Sequence, residues 1–180
     1  NLKGEGNVLT LKKEINLTNI DYSYPNSSKT NLKNINLKIT AGSTIGIVGI
    51  TGSGKSTLID LILGLHKPKN GKLEVDGKII NDDNLRLWQK SIGYVPQQIF
   101  LFDDTVASNI AFGQSPEIIN QDAIEKAAKI AKIHDFIVNE LPLKYQTLIG
   151  EKGVRLSGGQ RQRLGIARAL YHNPKILVLD

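Results

Sequence analysis

A glycine-rich segment that begins at Gly49 carries the strongest chemical signal in the sequence. It reads Gly49-Ile50-Thr51-Gly52-Ser53-Gly54-Lys55-Ser56, which fits the pattern G-x-x-x-x-G-K-[ST]. Glycines let backbone N–H groups turn inward around phosphate oxygens, and a following helix adds the positive end of its dipole. In this pattern Lys55 bridges the outer phosphates and the Ser56 hydroxyl ligates Mg²⁺. We therefore predict a phosphate-binding loop rather than a turn that only caps a helix.

A carboxylate at the end of an apolar run is the second candidate. Residues 176–179 are all apolar and Asp180 follows them. A buried strand presents such a residue at its C-terminal tip, where phosphate-binding crevices lie in parallel sheets. Alone, Asp180 could equally be a strand-end turn residue. Beside a phosphate loop, it is predicted to be the Mg²⁺ partner of Ser56.

A third segment reads Leu156-Ser157-Gly158-Gly159-Gln160. A serine followed by two glycines at the start of a helix offers backbone N–H groups and a hydroxyl to an anion. A serine that simply caps the helix explains the same residues equally well. From the residues alone, both interpretations stay open.

The spacing of apolar residues predicts the strands that position these segments. Residues 44–50 and 176–179 are almost continuously apolar, as in strands buried on both faces. Residues 15–24 and 34–40 alternate, which predicts half-buried antiparallel strands. Two further strands are predicted at residues 72–75 and 91–95.

Helical spacing accounts for most of the remaining sequence. Helices are predicted at residues 55–65, 85–90, 122–133 and 158–171. The third of these lies in a helix-rich insert over residues 105–140. Two doubly buried strands joined by crossover helices predict an α/β domain.

Composition and charge narrow the class of protein. The chain has 180 residues, 40% hydrophobic and 22% charged, with no cysteine, which predicts one soluble globular domain and excludes a disulfide scaffold. The net charge is +6, but the lysines are scattered, and the only dense basic spot is Arg161, Arg163 and Arg168 on one predicted helix. We interpret that spot as a solvated or partner-facing surface and expect no nucleic acid. Residues 1–14 are predicted to be a linker, and both ends look cut from a longer polypeptide.

The three motifs in this order resemble those of one family. From residue 15 to residue 180 the chain is similar to the nucleotide-binding domain of an ATP-binding cassette (ABC) transporter, most of all the exporter type. The motifs match the phosphate loop, the LSGGQ signature and the Walker B strand of that family. The resemblance implies a P-loop NTPase core, with a mostly parallel sheet and flanking helices. It also implies an N-terminal antiparallel β subdomain and a helical signature subdomain.

The resemblance assigns roles to individual residues, with ATP and Mg²⁺ as ligands. Tyr24 would stack on adenine; without the resemblance, it fits an aromatic residue at the end of an edge strand. Gln97 would meet Mg²⁺ and sense the γ-phosphate; without the resemblance, it fits an exposed loop amide. The catalytic residues implied are Lys55, Gln97 and Asp180, and the metal ligands are Ser56, Gln97 and Asp180. The nucleotide-binding residues are Tyr24, Gly49, Ile50, Thr51, Gly52, Ser53, Gly54, Lys55, Ser56, Thr57 and Gln97, with Ser157, Gly158, Gly159 and Gln160 supplied by a second copy.

The resemblance also implies a function. The domain would couple ATP-driven head-to-tail dimerisation to export of a substrate, as an ATPase on the cytoplasmic face of a membrane, the bacterial inner membrane. Its partners would be a second nucleotide-binding domain, in a homodimer, and a transmembrane domain preceding residues 1–14 in the same polypeptide. The latter would be contacted near Gln97 and at the loop 150–153. The family's catalytic Glu and switch His would lie beyond Asp180, so the chain alone is expected to bind ATP but hydrolyse it poorly.

Two rival classes explain less of the sequence. A DNA-acting ATPase of the same superfamily would need a very long coiled-coil insertion between the phosphate loop and residues 156–160, and no sustained heptads occur there. A simple P-loop kinase or GTPase would account for Lys55 and Asp180 but would leave residues 156–160 without a role.

Overall fold

The computed structural model describes residues 9–25, 31–150 and 153–180. The chain divides into an N-terminal unit, Asn1–Ile92, and a C-terminal unit, Gly93–Asp180. Two sequence-based predictions therefore fall partly outside the described residues. These are the linker, of which residues 1–8 are not described, and the loop 150–153, of which Glu151 and Lys152 are not described.

The N-terminal unit is built on an antiparallel sheet. Its strands are β1 (Glu14–Tyr22), β2 (Leu32–Thr40), β3 (Asn70–Val75) and β4 (Lys78–Ile79), in the order β2-β1-β3-β4. Ile15 lies opposite Ile39 of β2 and Val75 of β3, and Leu17 lies opposite Leu37 and Leu73. Alternation buries Ile15 and Leu17 on one face, and Ile20 is also buried after a register shift between Leu17 and Ile20. The predicted antiparallel pairing of residues 15–24 with 34–40 is confirmed.

The start of β1 is fixed by a carboxylate on the turn after β3. The backbone N–H groups of Lys12, Lys13 and Glu14 donate to the Asp76 carboxylate at 2.7, 2.8 and 2.8 Å. The hydrogen bond from Glu14, followed by those from Lys12 and Lys13, lowers the pKa of Asp76. The last residues of the predicted linker are thus bound to the sheet.

Two helices complete the N-terminal unit, α1 (Lys55–Ile62) and α2 (Leu85–Lys90). Both were expected from helical spacing, and both are confirmed. Trp88 of α2 is fully buried, and its indole N–H donates to the carbonyl of Ile62 at 2.7 Å. This contact holds α2 against the end of α1, so Trp88 is a packing residue.

The prediction of a buried strand at residues 44–50 is wrong. These residues form no strand, and Val48 and Ile50 are 91% and 83% exposed. A strand needs a neighbour that supplies backbone donors and acceptors. Within the described residues of this unit, no strand pairs with 44–50. The apolar run therefore lacks, among the residues described in this unit, the neighbouring strand that would bury it.

The C-terminal unit contains two small sheets. β5 (Ile92–Val95) pairs with β8 (Ile176–Leu179), and β6 (Asp104–Thr105) pairs antiparallel with β7 (Leu148–Ile149). β8 was predicted to be buried on both faces, which is wrong, because Leu177 and Leu179 are 41% and 60% exposed. The larger sheet is also antiparallel, so the expected mostly parallel core sheet is not found among the described residues. The physical reason is similar: among the described residues, no strand pairs with residues 44–50, and β8 pairs with β5 alone.

Helices form the core of the C-terminal unit. They are α3 (Val106–Ile110), α4 (Gln121–Ile130), α5 (His134–Glu140) and α6 (Gly158–Leu170). The helix predicted at residues 122–133 is confirmed as α4, in which Ile124, Ala127 and Ala128 are buried, as is Ala131 just after the helix. In the described part of the chain, no helix is both long and apolar enough to span a membrane.

Arg168 does not belong to an exposed basic surface, contrary to the prediction. Its guanidinium donates to the carbonyl of Asn109 at 2.8 Å and to that of Phe100 at 2.9 Å. It also lies over the ring of Phe112, 5.2 Å from the centroid. Burial lowers its pKa. Arg168 therefore joins α6 to the segment before α4, and of the predicted basic spot only Arg161 and Arg163 are exposed.

Candidate functional site

The glycine-rich segment leads directly into α1. Gly52 and Gly54 have φ values of 80° and 94°, in the left-handed region that glycine adopts without strain. The Ser53 N–H donates to the Ile50 carbonyl at 3.2 Å, which closes the turn. Gly54 is the N-cap residue of α1, and no side chain caps this helix start. The first-turn N–H groups of α1 are therefore not engaged by a capping side chain, as an anion site at a helix start requires.

The Lys55 side chain folds back over the segment it follows. Its ammonium group donates to the carbonyls of Gly49 and Ile50 at 2.9 and 3.0 Å. A Cβ on Gly49 would lie 2.7 Å from the Ser53 hydroxyl, so glycine leaves the turn the room it needs. An ammonium group has three N–H donors. Lys55 is thus held at the mouth of the loop by partners that an anion can replace.

The last residue of the loop contacts the predicted adenine-stacking residue. Ser56 is exposed, whereas Thr57 is buried. The Thr57 hydroxyl lies 3.0 Å from the hydroxyl of Tyr24. Tyr24 is 38% exposed, and its ring makes edge contacts with Tyr22 and His66. Burial raises the pKa of Tyr22, with smaller contributions from Tyr24 and Asp60. In the N-terminal unit, the structure thus brings Tyr24 to the predicted phosphate-binding loop.

Gln97 and Asp180 share one cavity in the C-terminal unit. The cavity has a volume of about 480 Å³, and Val95, Gly158 and Arg161 also line it. Asp180 lies at the end of β8, where its N–H donates to the Val95 carbonyl at 3.0 Å. The Tyr94 hydroxyl donates to the Asp180 carboxylate at 3.3 Å. The predicted position of Asp180 at a strand end is confirmed.

The oxygen atoms at this cavity suit a hard divalent cation. Mg²⁺ binds through one or two carboxylates together with waters and substrate phosphates. Asp180 supplies a carboxylate and Gln97 an amide carbonyl. Among the residues that the structure describes, no three His, Cys, Asp or Glu side chains come together as a metal site. The donor set therefore fits Mg²⁺ held partly by a phosphate ligand.

The start of α6 is a complete capping box. The Ser157 hydroxyl accepts from the Gln160 N–H at 3.2 Å, and the Gln160 side chain accepts from the Ser157 N–H at 2.7 Å. Gly158 and Gly159 are exposed, and a Cβ on either would meet nothing within 4 Å. The capping interpretation is thus correct, but it does not exclude anion binding, because the hydroxyl that accepts this bond still has its own proton to donate.

Sequence reasoning missed two neighbours of the site. His66 is half-buried and stacks on Tyr22, with ring centroids 5.1 Å apart. Tyr94, which contacts Asp180, was not singled out. Tyr94 alternates with buried residues along β5, so strand periodicity offered a signal. His66 follows the end of α1, where no local pattern indicates its partner.

Comparison with known proteins gives one consistent result. A family model described as ABC transporter matches residues 32–180. The chain is 46% identical over 168 residues to mouse ATP-binding cassette sub-family B member 5, covering 92% of this chain and 13% of that protein. It is 45% identical over 170 residues to the ATP-dependent lipid A-core flippase of Syntrophus aciditrophicus (strain SB), covering 94% of this chain and 28% of that protein.

A solved structure is similar as well. It is a bacterial Atm1-family ABC exporter with ATP bound, with a TM-score of 0.85 and 36% sequence identity. The match covers 97% of this chain and 30% of that one. The chain therefore spans less than a third of the length of these relatives, and its fold is like that of an exporter's nucleotide-binding domain, with mixed sheets and helices.

Proposed function

Because this chain belongs to the ABC transporter family, we propose that it is the ATP-binding and hydrolysing domain of an exporter, which couples ATP-driven dimerisation to transport of a substrate across a membrane. The observation that carries the proposal is the loop before α1, with the Lys55 ammonium over the carbonyls of Gly49 and Ile50. The exporters and the flippase among its relatives support the direction of transport.

The N-terminal unit binds the nucleotide in this proposal. The phosphates lie in the loop of residues 49–57, where Lys55 exchanges its carbonyl partners for phosphate oxygens. The α1 start supports this, because no side chain caps it. Tyr24 stacks on the adenine. A stacked ring contacts the face of the base rather than its hydrogen-bonding edge, so we expect little discrimination between ATP and GTP.

Ser56, Gln97 and Asp180 are the proposed holders of Mg²⁺. When bound, the ion neutralises charge on the outer phosphates. The hydrogen bond from the Tyr94 hydroxyl orients the Asp180 carboxylate, and it supports a role for Tyr94 in holding the ligand in position. Gln97 is exposed at the same cavity, where its amide can accept or donate towards a γ-phosphate.

A second copy of the domain completes the site in this proposal. Ser157, Gly158, Gly159 and Gln160 of that copy meet the γ-phosphate head to tail, in a homodimer. The exposed turn and the proton left on the Ser157 hydroxyl support this role. Because both copies contact the γ-phosphate, ATP favours the closed dimer and hydrolysis releases it.

The names of the chain's relatives support a further proposed partner and a proposed location. A transmembrane domain of the same polypeptide receives the motion near Gln97 and the loop 150–153, at the cytoplasmic face of a membrane, the bacterial inner membrane. ATPase activity belongs to the intact protein.

Replacement of Lys55 tests the proposal directly. Lys55→Ala removes a charge-assisted contact worth about 1.5 to 3 kcal/mol, so affinity for Mg-ATP should fall roughly 10- to 150-fold. Lys67→Ala is the matched control, because Lys67 is an exposed lysine of the same unit whose partner is Asp82. A fluorescent ATP analogue is titrated into each protein. Equal affinities for wild type and Lys55→Ala would overturn the phosphate-loop assignment.

A further inference from the structure

The Tyr24 side chain is held from two directions, by His66 and by Thr57. The Tyr24 and His66 rings lie perpendicular, at 90°, with centroids 5.5 Å apart. His66 itself stacks on Tyr22 at an interplanar angle of 19°, and Tyr22 lies at 80° to Tyr24. At the other end of the ring, the Tyr24 hydroxyl lies 3.0 Å from the Thr57 hydroxyl.

These contacts restrain different rotations. A hydrogen bond at the hydroxyl fixes the direction of the ring's long axis, because it anchors the tip of the side chain. Perpendicular packing against two neighbouring rings fixes rotation about that axis, because an edge contact favours one tilt. An exposed tyrosine without such contacts populates several rotamers. Tyr24 is 38% exposed and yet restrained in both rotations.

We propose that His66 and Thr57 are positioning residues for nucleotide binding, which act by holding the Tyr24 ring in the orientation that stacks on the base. This rests on the proposed function, since it requires Tyr24 to be the base-stacking residue. A ring already in place loses less side-chain entropy when the base binds. This positioning should therefore raise the affinity for a ligand that has a base, and leave the affinity for the phosphates alone unchanged.

The link to Thr57 gives the arrangement a further consequence. Thr57 lies in the first turn of α1, with Lys55 and Ser56. Its hydroxyl contact with Tyr24 therefore joins the base platform to the phosphate loop through side chains of one unit. The competing explanation is that His66 only stabilises the end of α1, where its ring lies 3.8 Å from the Asp60 carboxylate.

The test separates binding of the base from binding of the phosphates. Affinity for Mg-ATP and for Mg-tripolyphosphate, which has no base, is measured in the purified protein by displacement of a fluorescent nucleotide. A second readout is the fluorescence of 2-aminopurine riboside triphosphate at saturation, since stacking on a ring quenches it whatever the affinity. The variants are His66→Ala, His66→Phe, Tyr24→Phe and Tyr24→Ala, each checked by thermal unfolding.

We expect His66→Ala to weaken Mg-ATP binding about two- to tenfold while tripolyphosphate binding is unchanged. Quenching of the bound aminopurine should fall as well. His66→Phe keeps a ring against Tyr22 and Tyr24, so it should restore both. Tyr24→Phe retains the stacking face but loses the hydroxyl contact with Thr57, and it should weaken ATP alone.

Each contrary result has a distinct meaning. If His66→Ala weakens both ligands equally, His66 supports α1 and the positioning role is wrong. His66→Ala and Tyr24→Phe could leave unchanged both the quenching and the ratio of the affinity for Mg-ATP to that for Mg-tripolyphosphate, while Tyr24→Ala changes both. In that case Tyr24 stacks on the base without positioning residues, and the proposal is wrong. If Tyr24→Ala changes neither, base stacking by Tyr24, which belongs to the proposed function, is itself wrong.

Discussion

The two glycine-rich helix starts of this chain treat their first-turn N–H groups in opposite ways. Before α1 the N-cap residue is Gly54, at φ 94°, and no side chain caps the helix. Before α6 the N-cap residue is Ser157, whose hydroxyl accepts a hydrogen bond from the Gln160 N–H. The Gln160 side chain in turn accepts one from the Ser157 N–H. Both segments gave the same kind of sequence signal, a glycine-rich turn before a helix.

The two helix starts therefore differ in whether they need a ligand to satisfy their backbone N–H groups. An uncapped start leaves donors that an anion can use, so the loop before α1 is suited to a ligand. A capping box keeps its shape without a ligand, because its own side chains satisfy two donors. The start of α6 is thus already formed without a ligand. A surface that meets a nucleotide bound to another copy would need this property.

Of the substitutions at the two helix starts, Ser157→Arg should have the largest effect. A long side chain at the exposed turn should block its approach to a nucleotide on a second copy. In the intact protein, we expect turnover to fall about a hundredfold or more, as when a donor to transition-state charge is lost, while binding of Mg-ATP to a single copy is unchanged. ATP-dependent association, phosphate release and monomer binding are measured separately.

The control for that experiment is Ser115→Arg. Ser115 is exposed, lies in the same unit and gains the same charge. It should leave association and turnover near their original values. If Ser157→Arg reduces monomer binding as much as association, the turn acts only as a local cap, and the contrast between the two helix starts has no functional meaning.

The next effect concerns the uncapped start itself. Gly54→Ala puts a Cβ at φ 94°, where it would lie 2.8 Å from Leu32 Cδ2. We expect a loss of about 1–3 kcal/mol of stability from the strained conformation, together with weaker ATP binding. Gly159→Ala is the matched change at the other start, where nothing lies within 4 Å. Urea unfolding should show that Gly159→Ala costs nothing, and equal losses in both variants would contradict the comparison.

The sequence predicted the elements whose signals are local. Strands β1 and β2 followed from alternation, α2 from the spacing around Trp88, and the loop before α1 from its residue pattern. It failed where the outcome depends on distant partners. Residues 44–50 carry a strong strand pattern, but Val48 and Ile50 are exposed because no described strand of their unit pairs with them.

Side-chain partners far apart in sequence were also beyond prediction. Arg168 shares a helix with Arg161 and Arg163, yet it bonds to Asn109, 59 positions earlier. His66 meets Tyr24 across a fold that neither local segment specifies. In both cases the residue type allowed several environments, and only tertiary packing selects one. The position of Asp180 could be predicted, because a residue that follows an apolar strand lies at the end of that strand.

The smallest expected effect concerns Ser157, where two substitutions separate the capping role of the side chain from its proposed role in contacting a ligand. Ser157→Ala removes the acceptor for the Gln160 N–H and should cost about 1 kcal/mol of stability. Ser157→Asp should restore that stability, since Asp is an equally good N-cap residue and its charge favours a helix start. The same carboxylate would repel a γ-phosphate, so Ser157→Asp should still prevent ATP-dependent association. Urea unfolding followed by circular dichroism measures the first effect, and sedimentation with and without Mg-ATP measures the second. If Ser157→Asp associates as well as the original protein, no phosphate approaches Ser157, and the start of α6 is a cap alone.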